Sequence, residues 1–113
     1  MTRTSFTFVS SFVVCACLAI GIAAGQKTSK GDAAKGKETF EQCAVCHNVD
    51  TDEKKMGPSL KGLFKHKTLA SGKPVTDENV LAQINAGGNG MPAYNDMLSS
   101  DEKANLLAYL HTL

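Results

Sequence analysis

The chain has 113 residues, of which 12 are basic and 11 are acidic, and its net charge is +1 at pH 7. This length excludes a multidomain protein, and the near-neutral charge argues against a dedicated nucleic-acid binder, because phosphate recognition needs a basic surface. The only arginine, Arg3, lies in the N-terminal segment, so residues 26–113 form one small domain without net charge. Domains of this size bury little apolar surface and often need a disulfide, a metal or a cofactor for stability.

The N-terminal segment has the pattern of an export signal. Residues 5–25 carry no charge, follow a short start with Arg3, and end in small residues at 23–25. We therefore expect a signal peptide at 1–25. Two alternatives remain: the uncharged run is long enough to stay as an uncleaved membrane anchor, and residues 14–17 weakly resemble a lipoprotein processing site. All three place the domain outside the cytoplasm, and we expect the bacterial periplasm.

The first half of the exported chain begins with a tether and a helix. Residues 26–31 are polar and predict a tether, so we assign the folded domain to 32–113. Asp32 predicts the N-cap of a first helix that extends to about Cys43, because its side-chain oxygen can accept hydrogen bonds from the free amides of a first turn. Residues 48–76 are rich in Gly, Pro, Lys, Ser and Thr, which indicates a loop.

Further helical signals follow. We expect one short helical piece near 60–64 and a helix over 77–86 that is capped by Thr76. Ser99 and Glu102 form the sequence pattern of a capping box, which predicts the start of a C-terminal helix. An apolar stripe at helical spacing follows this box and consists of Leu106, Leu107, Leu110 and Leu113. No segment alternates apolar and polar residues as a strand does, so we predict an all-α domain with three to five short helices and long loops.

One motif carries the chemistry. Residues 43–47 read C-x-x-C-H, which is typical of covalent haem c attachment. Two thiols on one turn of chain can bond the two vinyl groups of one porphyrin edge, and His47 can offer an imidazole nitrogen to the iron. Residues 26–113 contain no Trp and only Phe40 and Phe64 as phenylalanines, so a large flat group is expected to complete the core. The predicted cofactor is haem c, attached through Cys43 and Cys46.

Three other interpretations of the motif fit less well. A redox-active dithiol would need a βαβ context, and the flanking segments are helix and loop. A structural zinc site needs four ligands, but only His66 and His111 remain, without a second paired cluster. A disulfide between Cys43 and Cys46 would close so small a loop that it would add little stability.

The sixth iron ligand is expected to be Met91. This residue lies between a glycine-rich stretch, 87–90, and Pro92, so the glycines allow close backbone approach and the proline stiffens the turn. Met56 follows His47 too closely, and Met97 lacks a rigid frame. His66 lies between two lysines and is expected to be a solvated loop histidine, as is His111.

Together these residues resemble the class I monohaem c-type cytochromes in their small bacterial form. The resemblance extends over residues 31–113. It rests on four pieces in the expected order: Gly36-x-x-x-Phe40 before the C-x-x-C-H motif, Gly57-Pro58-Ser59-Leu60, Met91-Pro92-Ala93-Tyr94, and Leu106-Leu107-Ala108-Tyr109-Leu110. The resemblance implies the small cytochrome c fold, in which short helices and long loops surround one covalently bound haem.

The resemblance also implies roles for residues around the cofactor. The carbonyl of Pro58 would accept the second ring N–H of His47 and so fix the orientation of the imidazole. Leu60 and Tyr94 would form walls of the haem pocket.

Two further implications concern the helices and the haem propionates. Gly36 would allow the first and last helices to cross closely, with Phe40 near Leu106 and Tyr109. Residues 65–66 are Lys-His where relatives often carry Gly-Arg, and that arginine helps to satisfy a propionate. Lys65, Lys67 or His66 could replace it here.

These features predict a one-electron carrier and not an enzyme. A haem iron with both axial positions filled, by His47 and Met91, offers no site to a small-molecule substrate, and a thioether ligand raises the reduction potential. The expected partners are redox proteins, either a membrane oxidoreductase or a terminal reductase or oxidase, and the chain is expected to be a monomer. Two alternatives are a haem enzyme or gas sensor with an open sixth position, and a membrane-tethered electron-transfer subunit.

The charges are distributed unevenly along the chain. Residues 54–73 contain six lysines and no acid, whereas residues 77–102 contain five acids and no base. We expect the lysines either to neutralise the haem propionates or to steer docking onto an acidic redox partner. The alternative is an ordinary solvated loop.

Overall fold

The computed structural model describes residues 30–113, so the predicted signal peptide and most of the predicted tether lie outside the described residues. The helices are α1 (Ala33–Ala44), a 3₁₀ turn (Leu63–Lys65), α2 (Asp77–Ala86) and α3 (Ser100–Leu110). Within this part of the chain the β structure is confined to two isolated bridges. The predicted all-α class with long loops is confirmed. No helix among the described residues is long and apolar enough to cross a membrane.

Each α-helix begins where a side-chain cap predicts it. Asp32 accepts a hydrogen bond from the backbone amide of Ala34, with 2.8 Å between Oδ1 and N. Thr76 Oγ1 accepts from the amide of Asn79 at 3.1 Å. Ser99 and Glu102 form a complete capping box, in which each side chain accepts from the other residue's amide. These bonds satisfy amides that the first turn of a helix leaves without partners.

The short helical piece lies slightly later than predicted. It spans Leu63–Lys65, and not 60–64, because Gly62 has a left-handed backbone conformation, with φ of 61°, that a right-handed helix cannot include. The 3₁₀ turn then begins after Gly62.

The first and last helices cross at Gly36. α1 packs along α3, whereas α2 makes far fewer contacts with α3. A Cβ atom at Gly36 would overlap the carbonyl oxygen of Asn105 and lie 2.8 Å from Cβ of Tyr109, so only glycine permits this separation of the two backbones. The ring centroids of Phe40 and Tyr109 are 5.3 Å apart at an interplanar angle of 53°. The core residues outside these two helices come from α2, the 3₁₀ turn and the loops.

The core joins all the helices. Its buried hydrophobic residues are Phe40, Leu63, Val80, Ile84, Tyr94, Leu98, Leu106 and Leu110. The predicted stripe on α3 is present, with Leu106 and Leu110 buried and Leu107 and Leu113 partly buried at its edges.

His111 is exposed to solvent, as the sequence predicts, but it also contacts two other parts of the fold. The ring of His111 stacks on Phe64, with 3.6 Å between centroids and 17° between planes. Its Nε2 lies 2.6 Å from Oδ1 of Asp77, so a residue at the end of α3 meets the first residue of α2. This contact spans distant parts of the chain, and no local pattern around His111 indicates it.

Candidate functional site

The C-x-x-C-H motif forms a single turn at the end of α1. The amides of Cys46 and His47 both donate to the carbonyl of Cys43, at 3.1 and 3.0 Å. This turn places the two thiols and the imidazole close together, and both thiols are free and partly buried. Burial, and then the charge of the neighbouring Cys46, raises the pKa of Cys43 above its ordinary value of 9.0. The Cys43 thiol is therefore protonated at neutral pH before it reacts.

The imidazole of His47 is held on two sides. Its Nδ1 donates to the carbonyl oxygen of Pro58 at 2.7 Å, which is the contact that the resemblance predicts. Gly57 lies against the ring, where a Cβ atom would be 2.5 Å from Cε1 and 2.8 Å from Nδ1. The amide of Gly57 in turn donates to the carbonyl of Cys46 at 2.9 Å. The ring is thus fixed in orientation, and Nε2 is the nitrogen that is left for another partner.

A cleft opens beside this imidazole. About 330 Å³ of unfilled space lies in and around this cleft, a volume that includes the open solvent at its mouth. The lining residues are Phe40, Cys43, His47, Leu60, Ile84, Met91, Tyr94, Leu98, Leu106 and Leu110. Apart from the thiol, the imidazole and the tyrosine hydroxyl these side chains are apolar, so the cleft suits a large hydrophobic group.

The structure brings most of the predicted site residues together. Cys43, His47, Leu60, Met91 and Tyr94 all line the cleft. Two predicted site residues do not line the cleft. Pro58 contacts it only through its hydrogen bond with His47, and Cys46 lies on the same turn as Cys43.

Sequence reasoning missed two residues that line the cleft, Ile84 and Leu98. Ile84 follows Val80 by one helical turn, and this spacing indicates a buried helix face. Leu98 directly precedes the N-cap of α3, a position at which apolar residues often pack inwards. Either signal could have identified them as core residues, but neither shows that the core opens into a cleft.

Met91 stands at the end of a tight two-residue turn. The backbone groups of Gly88 and Met91 exchange two hydrogen bonds, at 2.9 and 3.1 Å. Asn89 and Gly90 between them both have positive φ angles, 52° and 88°. Asn-Gly is the pair that such a hairpin turn favours, so these dihedral angles account for the Asn and Gly at the centre of this segment. The backbone of Met91 is consequently well ordered by its own hydrogen bonds.

The other candidate iron ligands face elsewhere. The side chains of Met56 and Met97 are 80% and 62% exposed, and neither lines the cleft. His66 is exposed, and its Nε2 donates to the carbonyl of Lys61 at 3.0 Å. The ammonium of Lys65 donates to the main-chain oxygen of Leu113 at 3.1 Å. Of the three residues considered for a propionate, Lys65 and His66 therefore already have backbone partners, whereas the ammonium of Lys67 has none within residues 30–113.

Tyr94 is a buried wall of the cleft, with its side chain 8% exposed. Burial raises the pKa of its phenol above 10.0, and the charges of Cys43 and Cys46 raise it further. The hydroxyl group stays neutral at physiological pH and adds no charge to the cleft.

The donor set fits a covalently attached haem. The Cys43 thiol, an oriented imidazole and a thioether line an apolar cleft, and the second thiol, that of Cys46, lies on the same turn as Cys43. This is the combination that haem c attachment and ligation require. Among residues 30–113 no group of three or more His, Cys, Asp or Glu side chains is arranged to hold a metal ion directly.

Comparisons with known proteins agree with this site. The family described as "Cytochrome C oxidase, cbb3-type, subunit III" matches residues 31–110. The chain is 33% identical to cytochrome c6 of Diacronema lutheri over 81 residues, which are 71% of this chain and 94% of that protein. It is 32% identical to cytochrome c2 of Rhodoplanes tepidamans over 94 residues, covering 67% of this chain and 95% of the relative.

A solved structure, cytochrome c6 from the diatom Phaeodactylum tricornutum, superimposes with a TM-score of 0.57 at 30% identity. The superposition covers 73% of this chain and 93% of the diatom protein. The region matched by the family, residues 31–110, includes the cysteine-containing turn and all the helices described above. The chain therefore belongs to this cytochrome c family, as a class I monohaem c-type cytochrome that carries electrons on a haem c bound covalently in the region of Cys43 and Cys46.

Proposed function

We propose that the protein is a one-electron carrier whose haem iron is ligated by His47 and Met91, and that it exchanges electrons with redox proteins outside the cytoplasm. The observation that carries this proposal is that both side chains line one apolar cleft, next to the turn that holds Cys43 and Cys46. When bound, the haem supplies an iron atom that gains or loses one electron at a time.

His47 is suited to be the first axial ligand because its tautomer is set. A carbonyl oxygen can only accept, so the Nδ1 that faces Pro58 carries the proton, and Nε2 then has a free lone pair. Donation from Nδ1 also makes the imidazole a stronger ligand. The backbone of Gly57 lies close to the ring, and the absence of a side chain there leaves room for the imidazole in this position.

Met91 is suited to be the second axial ligand because it is the methionine that the fold directs to the cleft. Met56 and Met97 are mostly exposed, whereas Met91 is partly buried and is presented by a hydrogen-bonded turn. A thioether favours the ferrous state of iron and so raises the potential. With this ligand in place, substrates and gases have no open position.

The cleft walls support the same function. Leu60, Tyr94 and Ile84 exclude water from the interior of the cleft and leave it without charge. A low-polarity environment disfavours the more highly charged oxidised state, so these side chains also raise the potential.

The cellular setting of this proposal rests on the N-terminal sequence. Residues 1–25 have the pattern of a signal peptide, so the domain is exported, and the lysine-rich residues 54–73 offer a surface to an acidic redox partner. The mass of the exported protein tests whether the signal peptide is removed. A mass equal to that of residues 26–113 supports cleavage, and the mass of the full-length chain indicates a membrane-tethered subunit.

Replacement of each methionine tests the ligation. We expect Met91→Ala to abolish the sulfur-to-iron absorption band of the ferric protein, to lower its midpoint potential and to let imidazole bind rapidly. Met56→Ala and Met97→Ala are matched controls on exposed methionines and should leave all three properties unchanged. An unchanged band in Met91→Ala, or rapid imidazole binding by the wild type, contradicts the proposal and favours a haem enzyme or gas sensor with an open position.

A further inference from the structure

The segment that carries Met91 has few polar attachments to the rest of the domain. We define the Met91 segment as residues 87–98, between the end of α2 and the N-cap of α3. Its internal hydrogen bonds join Gly88 to Met91, Tyr94 to Met97 and Leu98, and Asn95 to Asp96. Such bonds keep the shape of the segment but do not hold it against the helices.

Two regions tie the segment to its neighbours. At its start, Nε2 of Gln83 donates to the carbonyl of Gly87 at 2.9 Å, and further on the amide of Tyr94 donates to the carbonyl of Ile84 at 3.0 Å. Both bonds lead back to α2. At its far end, Nζ of Lys103 donates to the carbonyl of Asn95 at 2.8 Å. Among the described residues, this is the hydrogen bond that joins the segment to the body of α3.

The position of Lys103 near the start of α3 is unfavourable for a positively charged side chain. It lies in the first turns of α3, where the helix dipole disfavours a positive charge. Its side chain is partly buried, and among the described residues it forms no ion pair, although Asp101 and Glu102 are its neighbours in sequence. The ammonium instead donates to a neutral carbonyl of the Met91 segment, which requires the long side chain to be ordered.

We propose that Lys103 is a positioning residue that fastens the Met91 segment to α3 and thereby slows the release of Met91 from the haem iron. This inference rests on the proposed ligation by Met91. An opening of the segment that includes Asn95 breaks the bond between Lys103 and Asn95, so this bond resists that opening. A hydrogen bond from a charged donor is stronger than one from a neutral donor, so it holds the segment more firmly than a neutral side chain would.

The test compares Lys103→Met with the wild type in two measurements. Amide hydrogen exchange in the ferrous protein reports opening of the segment without reference to the sixth ligand. We expect the amides of Tyr94 and Leu98 to exchange about tenfold faster in the variant, while that of Val80 in α2 stays unchanged. Imidazole binding to the ferric protein reports release of Met91, and its rate should also rise about tenfold.

Two further variants separate positioning from charge and from stability. Lys103→Arg retains a charged donor and should restore both rates to near the wild-type values. Lys37→Met removes the same charge from an exposed lysine whose ammonium makes no hydrogen bond within residues 30–113, and it should change neither rate.

Several results would overturn the inference. Unchanged exchange at Tyr94 and Leu98 shows that Lys103 does not fasten the segment. Equal acceleration at Val80 shows a general loss of stability and no specific positioning. Faster exchange with an unchanged imidazole rate removes the link to the iron, provided that Met91→Ala has confirmed ligation. If Met91→Ala instead leaves the ferric band unchanged, the proposed function fails first, and exchange at Tyr94 still decides whether Lys103 holds the segment.

Discussion

At the scale of single residues, the cofactor site depends on small groups that shape the surroundings of His47. The carbonyl oxygen of Pro58 lies 2.7 Å from Nδ1 of His47, and Gly57 has no side chain that would overlap the imidazole. The first contact was foreseeable from the Gly-Pro-Ser-Leu sequence and its resemblance to known cytochromes. The second required the structure, because only the backbone path shows that Gly57 lies against the imidazole.

We predict that Gly57→Ala displaces the imidazole. The new methyl group would lie 2.5 Å from Cε1 of His47, so either the ring or the loop must move. Overpacking of this kind costs about 1–3 kcal/mol of unfolding free energy. Urea unfolding measures this loss, and the visible spectrum of the haem-loaded protein should show weakened axial ligation.

The matched control is Gly72→Ala. It adds the same methyl group where no atom lies within 4 Å, although the positive φ of 81° makes alanine unfavourable there. We expect a stability loss of about 1 kcal/mol from backbone strain and an unchanged spectrum. Equal spectra for both variants would show that Gly57 does not orient His47.

At the scale of elements, the local sequence is sufficient to predict where the helices begin. The caps at Asp32, Thr76 and Ser99 lie where they are predicted, because each cap needs only a side chain and the amides two or three residues later. The position of the 3₁₀ turn was predicted less well. The left-handed backbone conformation of Gly62 sets where that turn begins.

The capping box of α3 should make stability depend on pH. Hydrogen bonds from the backbone amide and then the side chain of Ser99 lower the pKa of Glu102 below its ordinary value of 4.5. Because the pKa is lower in the folded state, this contribution to stability is present above pH 4.5 and is lost as the pH falls through the lowered pKa.

We therefore expect Glu102→Gln to be less stable than the wild type at pH 7, with a difference that shrinks as the pH falls below 4.5. Urea midpoints at a series of pH values measure this difference. Glu38→Gln, on the exposed face of α1, serves as the control and should show no comparable dependence. A difference that grows on acidification would contradict the role of the ionised Glu102.

At the scale of the whole molecule, the lysine-rich residues 54–73 are less uniform than the sequence indicates. Lys61 pairs with Asp52 at 3.4 Å, and Lys55 and Lys65 donate to backbone oxygens. The lysines of this range whose ammonium groups have no hydrogen bond or ion pair within the described part of the chain are Lys54, Lys67 and Lys73. These three are the charges that are free to act on a partner.

We predict that the three free lysines govern the salt dependence of electron transfer. Oxidation of the ferrous protein by the anion ferricyanide should slow on the order of threefold as ionic strength rises to about 0.2 M, because salt screens exposed charges. Replacement of all three by glutamine should flatten this dependence. Stopped-flow rates at several salt concentrations provide the measurement.

A triple variant of equal charge provides the control. Lys30, Lys35 and Lys37 are exposed residues at the start of the domain, and their replacement by glutamine should leave the salt dependence in place. If the wild-type rate is insensitive to salt, or if both triple variants behave alike, residues 54–73 do not steer partners.

The sequence by itself determined the all-α class, the helix starts, the haem attachment motif and the short set of candidate iron ligands. These signals are local, because a cap or a C-x-x-C-H turn is formed by residues a few positions apart. The prediction of Met91 over Met56 and Met97 also began there, from the glycines and the proline around it.

Only the tertiary structure decided which side chains meet across long separations. It placed Ile84 and Leu98 in the cleft, paired His111 with Asp77, and brought Lys103 to the segment that carries Met91. The physical reason is that these contacts depend on how the helices pack and on where the long loops run between them. Neither is encoded in the spacing of neighbouring residues, since packing and loop path follow from the sum of many weak contacts.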